Sequence, residues 1–470
     1  MTMFVSLSLA EICSAFPSAG SVYHWSGQLV PIAYSPVVSY ICGWANFLGN
    51  AAGDASFAAT WAVFLNAAII ASGATESLSN EALVGISIFV LFIWSMLNII
   101  RIDQLGWLNN IAAMIQFGTT FIVVIIILAK SKKLSTSKFV FLEYYNNTGI
   151  SDRSYVNAIS LLAALYSFSG YEASAHMAEE TTSSRTSAPK GIIWTCFAAG
   201  SCGLVLLLGL LFASDDIDHI LNGKTDNGAI NVFVLAAGPG FGAFLAWLVV
   251  INVFFAGVSS VSVTGRITFA LARDSAFPFS RYIATVHSTL KSPAAAIMFV
   301  FYLDAMLQLL PLVSNVAFVS ITGITTIGFQ LSYGIPILMK LLFAEPFPLT
   351  PLKLGVWSKP VGTLSALWLF GTSCLFFLPT THPVTPDTMN YTVLIVGFVF
   401  LFGTVNWVLN AKRFFRGPKR MYTTDDPPGD RREVVVSVSD SRESNDASNP
   451  MHSLHPPPSL SAPRNGDYVI

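Results

Sequence analysis

The segment QLGWLNNIAAMIQFGTTFIVVIIILA, residues 104–129, runs for 26 residues without a charged side chain. Crossing the hydrocarbon core of a bilayer takes about 20 mostly apolar residues in an α-helix. Only helices and closed barrels satisfy every backbone hydrogen-bonding group in lipid, and this segment is far longer than a barrel strand. It therefore predicts a membrane-spanning helix.

Ten further apolar stretches flank this segment, which makes eleven candidate spans. The ten are residues 1–16, 40–72 (interrupted by Asp54), 82–100, 155–175, 191–214, 241–265, 292–310, 313–339, 361–381 and 389–411. They predict an all-α polytopic membrane protein, with one transmembrane domain of about 11 helices over residues 1–420. Residues 421–470 are rich in proline, serine and charge of both signs, which predicts a disordered tail.

The composition excludes several classes of protein. Hydrophobic residues make up 53% of the 470 and charged residues only 11%, whereas a soluble domain carries about 25% charge. A net charge of -1 offers no basic surface for nucleic acid. No GxxxxGK[ST] loop, HExxH motif or Ser/His/Asp arrangement is present, and the five cysteines lack CxxC spacing. We therefore expect neither an ATP-driven pump nor an enzyme, and no cofactor or metal.

Orientation follows from the basic residues in alternate loops, because cytoplasmic loops are enriched in lysine and arginine. The set that we place in the cytoplasm is Arg101, Arg185, Lys190, Arg273, Arg281, Lys291, Lys353, Lys359 and the cluster from Lys412 to Arg420. This choice puts the tail in the cytoplasm and residues 130–153 outside, although the latter loop carries Lys132, Lys133 and Lys138. The membrane itself, plasma or organellar, is left open.

Five stretches resemble the amino acid, polyamine and organocation transporter superfamily, and within it the eukaryotic branch of amino acid, GABA and choline permeases. They are SLAEICSAFPSAGSVYHWSG (8–27), YSFSGYEASAHMAEET with APKGI (166–181 and 188–192), GRITFALARDSAFPFS (265–280), LPTTHPVTPDTMNY (378–391) and RFFRGPKR (413–420). They occur in the family's order and sample nearly the whole of residues 8–420.

The resemblance implies two inverted five-helix repeats, a substrate site at mid-membrane, and interruptions in the first and sixth helices. Residues 166–181 match the sixth helix. The family's first helix is expected to precede Met1, so this chain is expected to lack it. A truncated gene model explains that absence, and so does a functional variant without the helix.

The segment Ser167, Phe168, Ser169, Gly170 and Tyr171 is the predicted substrate-binding break, because it places a helix-weak glycine between polar residues in an apolar span. An unwound segment exposes backbone groups, and the half-helix beyond it directs its positive end at the break, where a substrate carboxylate is stabilised. The alternative is that Gly170 serves close packing between helices.

Glu172, Tyr166 and Asp54 are the predicted gating or proton-binding residues. An ionisable group inside a span is costly unless it is protonated, paired or in contact with water, and a proton or a substrate ammonium suits Glu172. The tyrosine ring suits occlusion of a zwitterion and contact with its cationic end. Structural roles remain open for all three: a hydrogen-bonded neutral acid for Glu172 and Asp54, and aromatic packing for Tyr166.

Charged residues near the cytoplasmic ends of the spans form a predicted inner gate, since alternating access needs contacts that can break. They are Glu11, Glu179, Glu180, Arg266, Arg273 and Asp274. Solvation of charge at the membrane interface explains the same residues equally well.

Together these features predict a secondary transporter for amino acids or related amines, with GABA, choline and polyamines included. The expected coupling is by proton symport or by exchange. Residues 107–129, which correspond to the fifth helix of the superfamily, lack the lysine that supports proton coupling in some members, so uniport is left open. The alternatives are a transporter-like nutrient sensor and an inactive fragment.

Overall fold

The computed structural model describes residues 1–100, 106–214, 217–287, 290, 292–312, 317–344, 347–385 and 389–418, and these are helical or lie in loops, with no strand among them. The predicted tail, residues 421–470, lies outside the described residues, as do the first residues of two predicted spans, 104–105 and 313–316.

The described chain folds into seventeen α-helices. They are α1 (Thr2–Ala15), α2 (Ser21–Gln28), α3 (Ser35–Ala71), α4 (Asn80–Ile99), α5 (Gly106–Lys130), α6 (Ser137–Leu142), α7 (Arg153–Ser167), α8 (Ala173–His176), α9 (Ser184–Ala213), α10 (Ile217–Leu221), α11 (Gly228–Arg273), α12 (Ser280–Ile283), α13 (Ala294–Leu307), α14 (Ala317–Phe343), α15 (Ser358–Leu375), α16 (Thr392–Asn406) and α17 (Lys412–Phe414). A π-helical turn, Trp407–Ala411, joins the last two.

Eight of the described helices are long and apolar enough to cross a membrane, namely α3, α4, α5, α9, α11, α13, α14 and α16, two of them extended by their flanking turns. The other three predicted spans are helices that fall short of this: α1 has 14 residues, α7 has 15, and α15 is less apolar. Apolar side chains such as Met114, Trp194 and Phe398 are exposed on the outer helices, as contact with lipid requires.

Helix α3 lies at the centre of the bundle and packs most extensively against α11 and α14. Its contact with α14 is unusually close at Gly49 and Gly328. A Cβ atom on Gly328 would lie 2.5 Å from the Cα atom of Gly49 and 2.8 Å from the carbonyl oxygen of Ala45. Small residues permit this approach of two backbones, which strengthens dispersion contacts between helices in lipid.

Helix α11 is interrupted at Gly238, just before the predicted span of residues 241–265. That span corresponds only to the second half of the helix. Gly238 has φ 82° and ψ 167°, and Pro239 follows it. The residue before a proline is disfavoured in the helical conformation, and the proline donates no hydrogen bond to the preceding turn. A glycine adopts the resulting positive φ without steric cost, so the chain turns here and then continues to Arg273.

Candidate functional site

Helix α7 stops at Ser167, at the residues where a break is predicted. Phe168 leaves the helical conformation with φ -104° and ψ 28°, and Gly170 has φ +82°. A Cβ atom on Gly170 would contact only the ring of Phe329, at 3.8 Å. The glycine is therefore needed for its backbone conformation rather than for close helix packing.

The expected half-helix beyond the break is only one turn long. Helix α8 has four residues and is followed by a 3-10 turn, Ala178–Glu180. Aligned peptide dipoles sum along a helix, and one turn supplies little of that sum. The side chains that complete the site come instead from α3 and α14. Neither helix supplies a residue to the predicted substrate-binding segment.

Glu172 is the centre of a buried hydrogen-bonded layer. The hydroxyl of Tyr333, on α14, donates to one carboxyl oxygen of Glu172 and accepts from the backbone N–H of Gly170 at 3.0 Å. The other carboxyl oxygen accepts from the side-chain amide of Asn46, on α3, at 3.2 Å. Glu172, Tyr333 and Asn46 are each at most 2% exposed. The layer therefore ties the broken segment to two other helices.

His176 lies beside this layer, one turn after Glu172. Its Nε2 atom is 3.9 Å from the carboxyl oxygen of Glu172 that Asn46 also contacts. Its Nδ1 atom is 2.9 Å from the carbonyl oxygen of Ala19. A carbonyl only accepts, so Nδ1 carries a proton and Nε2 is the ring nitrogen that lies towards Glu172. The i,i+4 spacing from Glu172 was the sequence signal for this pair.

The other predicted binding residues surround the break in different ways. The Ser167 hydroxyl donates back to the carbonyl of Ala163 at 3.2 Å, whereas the Ser169 hydroxyl is buried and has no partner among the described residues. Phe168 is half-buried. The Tyr171 ring is buried and lies 5.0 Å from that of Tyr333.

Tyr166, in the last turn of α7, and Asp54, on α3, have partners outside the Glu172 layer. The Tyr166 hydroxyl donates to Ser56 at 3.0 Å. Asp54 is fully buried and accepts from the hydroxyl of Ser260. Eight residues of α3 separate it from Asn46, which is about 12 Å at 1.5 Å per residue. Asp54 is therefore not part of the Glu172 layer.

The predicted inner-gate residues fall into two groups. One group brings together Glu179, Arg273 and Asp274. Asp274 accepts from the hydroxyl of Tyr23 and lies 3.6 Å from the guanidinium of Arg273. Glu179 accepts from the backbone N–H of Ala19 at 3.1 Å, and its charge also acts on Arg273. Arg266 is half-buried, and the side chain of Glu180 is outside the described part of the chain.

Glu11 forms the second group with a partner that the sequence analysis did not assign. Its carboxylate lies 2.5 Å from the ammonium of Lys340, accepts from the hydroxyl of Ser358 at 2.7 Å, and accepts from the N–H of Leu354 at 3.1 Å. A lone lysine near the end of an apolar helix was the available signal. The ion pair joins α1, α14 and the start of α15.

Two cavities lie at opposite ends of α14. One, of about 740 Å³, is lined by Glu11, Lys340 and the segment that leads into α15. The other, of about 570 Å³, is lined by residues of α7 that include Tyr166, by Thr322 on α14, and by the connection between α15 and α16. Eighteen residues separate Thr322 from Lys340, about 27 Å of helix, and Tyr333 lies between them. The Glu172 layer thus lies at an intermediate level of the bundle.

The comparisons with known proteins agree with this architecture. A family model described as amino acid permease matches residues 1–400.

The chain belongs to the amino acid permease family.

Amino-acid permease BAT1 of Arabidopsis thaliana is 33% identical over 433 residues, which cover 89% of this chain and 84% of the relative. Its homolog in Oryza sativa is 33% identical over 433 residues, covering 89% and 83%. An uncharacterized amino-acid permease of Schizosaccharomyces pombe is 30% identical over 421 residues, covering 89% and 78%.

The permease family fixes the general activity, which is transport of amino acids across a membrane, without covalent chemistry. Its substrate is a small molecule. With eight helices among the described residues that are long and apolar enough to cross a membrane, the permease is an integral, multi-pass membrane protein, as its sequence predicts.

Proposed function

We propose that this permease moves amino acids or related amines by alternating access between the two cavities, with the Glu172 layer as the barrier between them. The location of the break, flanked by a cavity at each end of α14, carries this proposal. The two-repeat fold of the resembling superfamily supplies the frame, since it builds its substrate site from discontinuous helices near mid-membrane.

The substrate binds at Ser167–Tyr171 in this proposal. The buried hydroxyl of Ser169 has no partner among the described residues, and a buried polar group without a partner is costly. A substrate carboxylate supplies the missing acceptor. The aromatic rings of Tyr166, Phe168 and Tyr171 enclose the apolar part and contact the ammonium group.

Glu172 and His176 provide the proton site for coupling. With Nδ1 of His176 held by a carbonyl, one proton on either Glu172 or Nε2 gives a favourable pair, whereas its loss leaves a buried negative charge beside a neutral ring. Opening of the Glu179, Arg273 and Asp274 group, and of the Glu11–Lys340 ion pair, gives access from the cytoplasm. GABA, choline and polyamines are candidate substrates in this proposal, and amino acid exchange is the other candidate mode of coupling.

Uptake into proteoliposomes tests this function directly. The purified chain is expected to take up labelled amino acids in a saturable way that an excess of the unlabelled compound inhibits. An inward proton gradient is expected to increase the initial rate, because the proton site must be filled from one side. Labelled GABA, choline and putrescine are tested in parallel to define the substrate class.

Tyr333→Phe tests the role of the Glu172 layer in uptake, and Tyr302→Phe is its matched control. The first removes the hydroxyl shared by Gly170 and Glu172 and is expected to slow uptake, whereas the second alters an exposed ring on α13 and should leave it unchanged. Equal rates for the two variants, or no competed uptake of any of these compounds, would contradict the proposal.

Modification of Asn146 tests the orientation. The sequon Asn146-Asn147-Thr148 lies in an exposed loop, whereas the amide of Asn390, in the sequon Asn390-Tyr391-Thr392, donates to two backbone carbonyls. After expression in a secretory pathway, we expect a single glycan at Asn146. A shift in electrophoretic mobility that endoglycosidase and Asn146→Gln both abolish is the readout. A substituted cysteine in this loop that reacts with a cytoplasmic label would refute the orientation.

A further inference from the structure

Two carboxyl groups are buried together away from the Glu172 layer. Asp54 lies on α3 and Asp304 on α13, and neither has any exposed surface. Helix α13 packs on both α3 and α11. Ionisable groups inside membrane spans are expensive and are most often found at ion or proton pathways.

The packing of α13 brings the two acids together. Gln308, one turn after Asp304, donates through its side-chain amide to the carbonyl oxygen of Ala55 at 2.5 Å. Ala55 is the residue after Asp54, so the turns that carry the two acids face each other. The charge of Asp54 also acts on Asp304.

Three of the four carboxyl oxygens have no hydrogen-bond partner among the described residues. They are Oδ2 of Asp54 and both oxygens of Asp304. The remaining oxygen, Oδ1 of Asp54, accepts from the hydroxyl of Ser260. Within the same part of the chain, neither acid forms an ion pair with a lysine, arginine or histidine.

The surrounding helices supply little compensating charge. Tyr166 on α7 reaches Ser56 rather than the acids. Arg266 on α11 is six residues past Ser260, the residue that contacts Asp54, and at 3.6 residues per turn it lies on a different face of the helix. Glu81 lies in the first turn of α4 and is exposed, and Lys340 on α14 is paired with Glu11.

We propose that Asp54 and Asp304 form a second proton-binding site, in which the pair carries a proton between its two carboxyl groups. Two carboxylates that share a buried site cannot both be ionised at low cost. A proton turns one unpartnered oxygen into a donor and gives a second one a hydrogen bond. A metal ion needs several oxygen ligands at once, and the described residues contain no group of three or more His, Cys, Asp or Glu side chains that could hold one.

This site is distinct from the proposed substrate site and does not depend on it. A proton bound here neutralises one charge at the junction of α3, α11 and α13. Separation of α13 from α3 would expose the pair and release the proton, so the junction couples protonation to the packing of these helices.

Infrared spectroscopy of the purified protein tests the proposal without a transport assay. At neutral pH the wild-type protein is expected to show the C=O stretching band of a protonated carboxylic acid, with a downshift in D2O. The double variant Asp54→Asn/Asp304→Asn is expected to lose that band component, since asparagine keeps the shape of the neutral acid. Glu81→Gln, which removes an exposed carboxylate, is the control and should retain it.

Size-exclusion elution and thermal unfolding establish that each variant is folded. If the double variant does not fold, Ser260→Ala keeps both acids and removes one hydrogen bond, and it should shift the band rather than abolish it. Unchanged spectra in every folded variant would overturn the proposal. A rise in unfolding temperature when NaCl replaces KCl, together with an absent acid band, would assign the site to sodium instead.

Discussion

Replacement of Glu172 by alanine is expected to abolish uptake and to lower the stability of the protein. The carboxyl group accepts from Tyr333 and Asn46, and both partners are buried. Alanine leaves the Tyr333 hydroxyl without this acceptor and leaves the Asn46 amide only its 3.4 Å contact with the Ser332 hydroxyl, at a cost of about 1 to 3 kcal/mol for a buried donor that loses its partner. The Gly170 segment also loses its link through Tyr333. Thermal unfolding in detergent and initial rates of uptake measure the two effects.

Glutamine at position 172 separates the proton-binding role from the structural one. It keeps the size of the neutral acid and one acceptor oxygen, so the variant is expected to fold. Because it cannot release a proton, uptake is expected to lose the part of its pH dependence that comes from the Glu172 carboxyl group. Glu143→Gln, in an exposed loop, is the control. A glutamine variant with the wild-type pH profile and affinity would assign Glu172 a structural role alone.

Replacement of Gly328 by alanine is expected to destabilise the central helix pair. The added methyl group would lie 2.5 Å from the backbone of Gly49, and backbone atoms cannot move aside as a flexible side chain can. Overpacking of this kind costs about 1 to 3 kcal/mol. We expect a lower unfolding temperature and a lower yield of monodisperse protein.

Gly371→Ala provides the matched control for this substitution. It places the same methyl group on α15, where no atom lies within 4 Å, and alanine favours a helix over glycine by about 1 kcal/mol. The control should be neutral or stabilising. Comparable unfolding temperatures for the wild-type and Gly328→Ala proteins would show that α3 and α14 can separate at this point without loss of stability.

Much of the fold follows from local properties of the sequence. A long apolar run predicts a helix because, in lipid, the backbone N–H and C=O groups must hydrogen-bond within the segment itself. Helices α4 and α9 lie where such runs predict them. The break at Gly170 is also local, since a glycine that directly follows a serine weakens one turn of a helix. The break at Gly238 carries an equally local signal in Pro239, but it precedes the predicted span.

The partners of the site residues could not be predicted in this way. Tyr333 is 161 residues from Glu172, and Lys340 is 329 residues from Glu11. Such pairs depend on which faces of distant helices meet, and one sequence contains no register between them. Asp304 illustrates the same limit. Its apolar neighbours predict a span, but only the packing of α13 on α3 shows that Asp54 lies close to it.

The backbone contact between Gly49 and Gly328 has a further consequence for motion in the transporter. Asn46 is one turn from Gly49, and Tyr333 is slightly more than one turn from Gly328, so both residues that bind Glu172 belong to one clamped helix pair. They cannot follow the broken segment independently. When Gly170 and Glu172 leave this pair in the proposed mechanism, we expect all three hydrogen bonds to break together. The proposed barrier would then open as one unit.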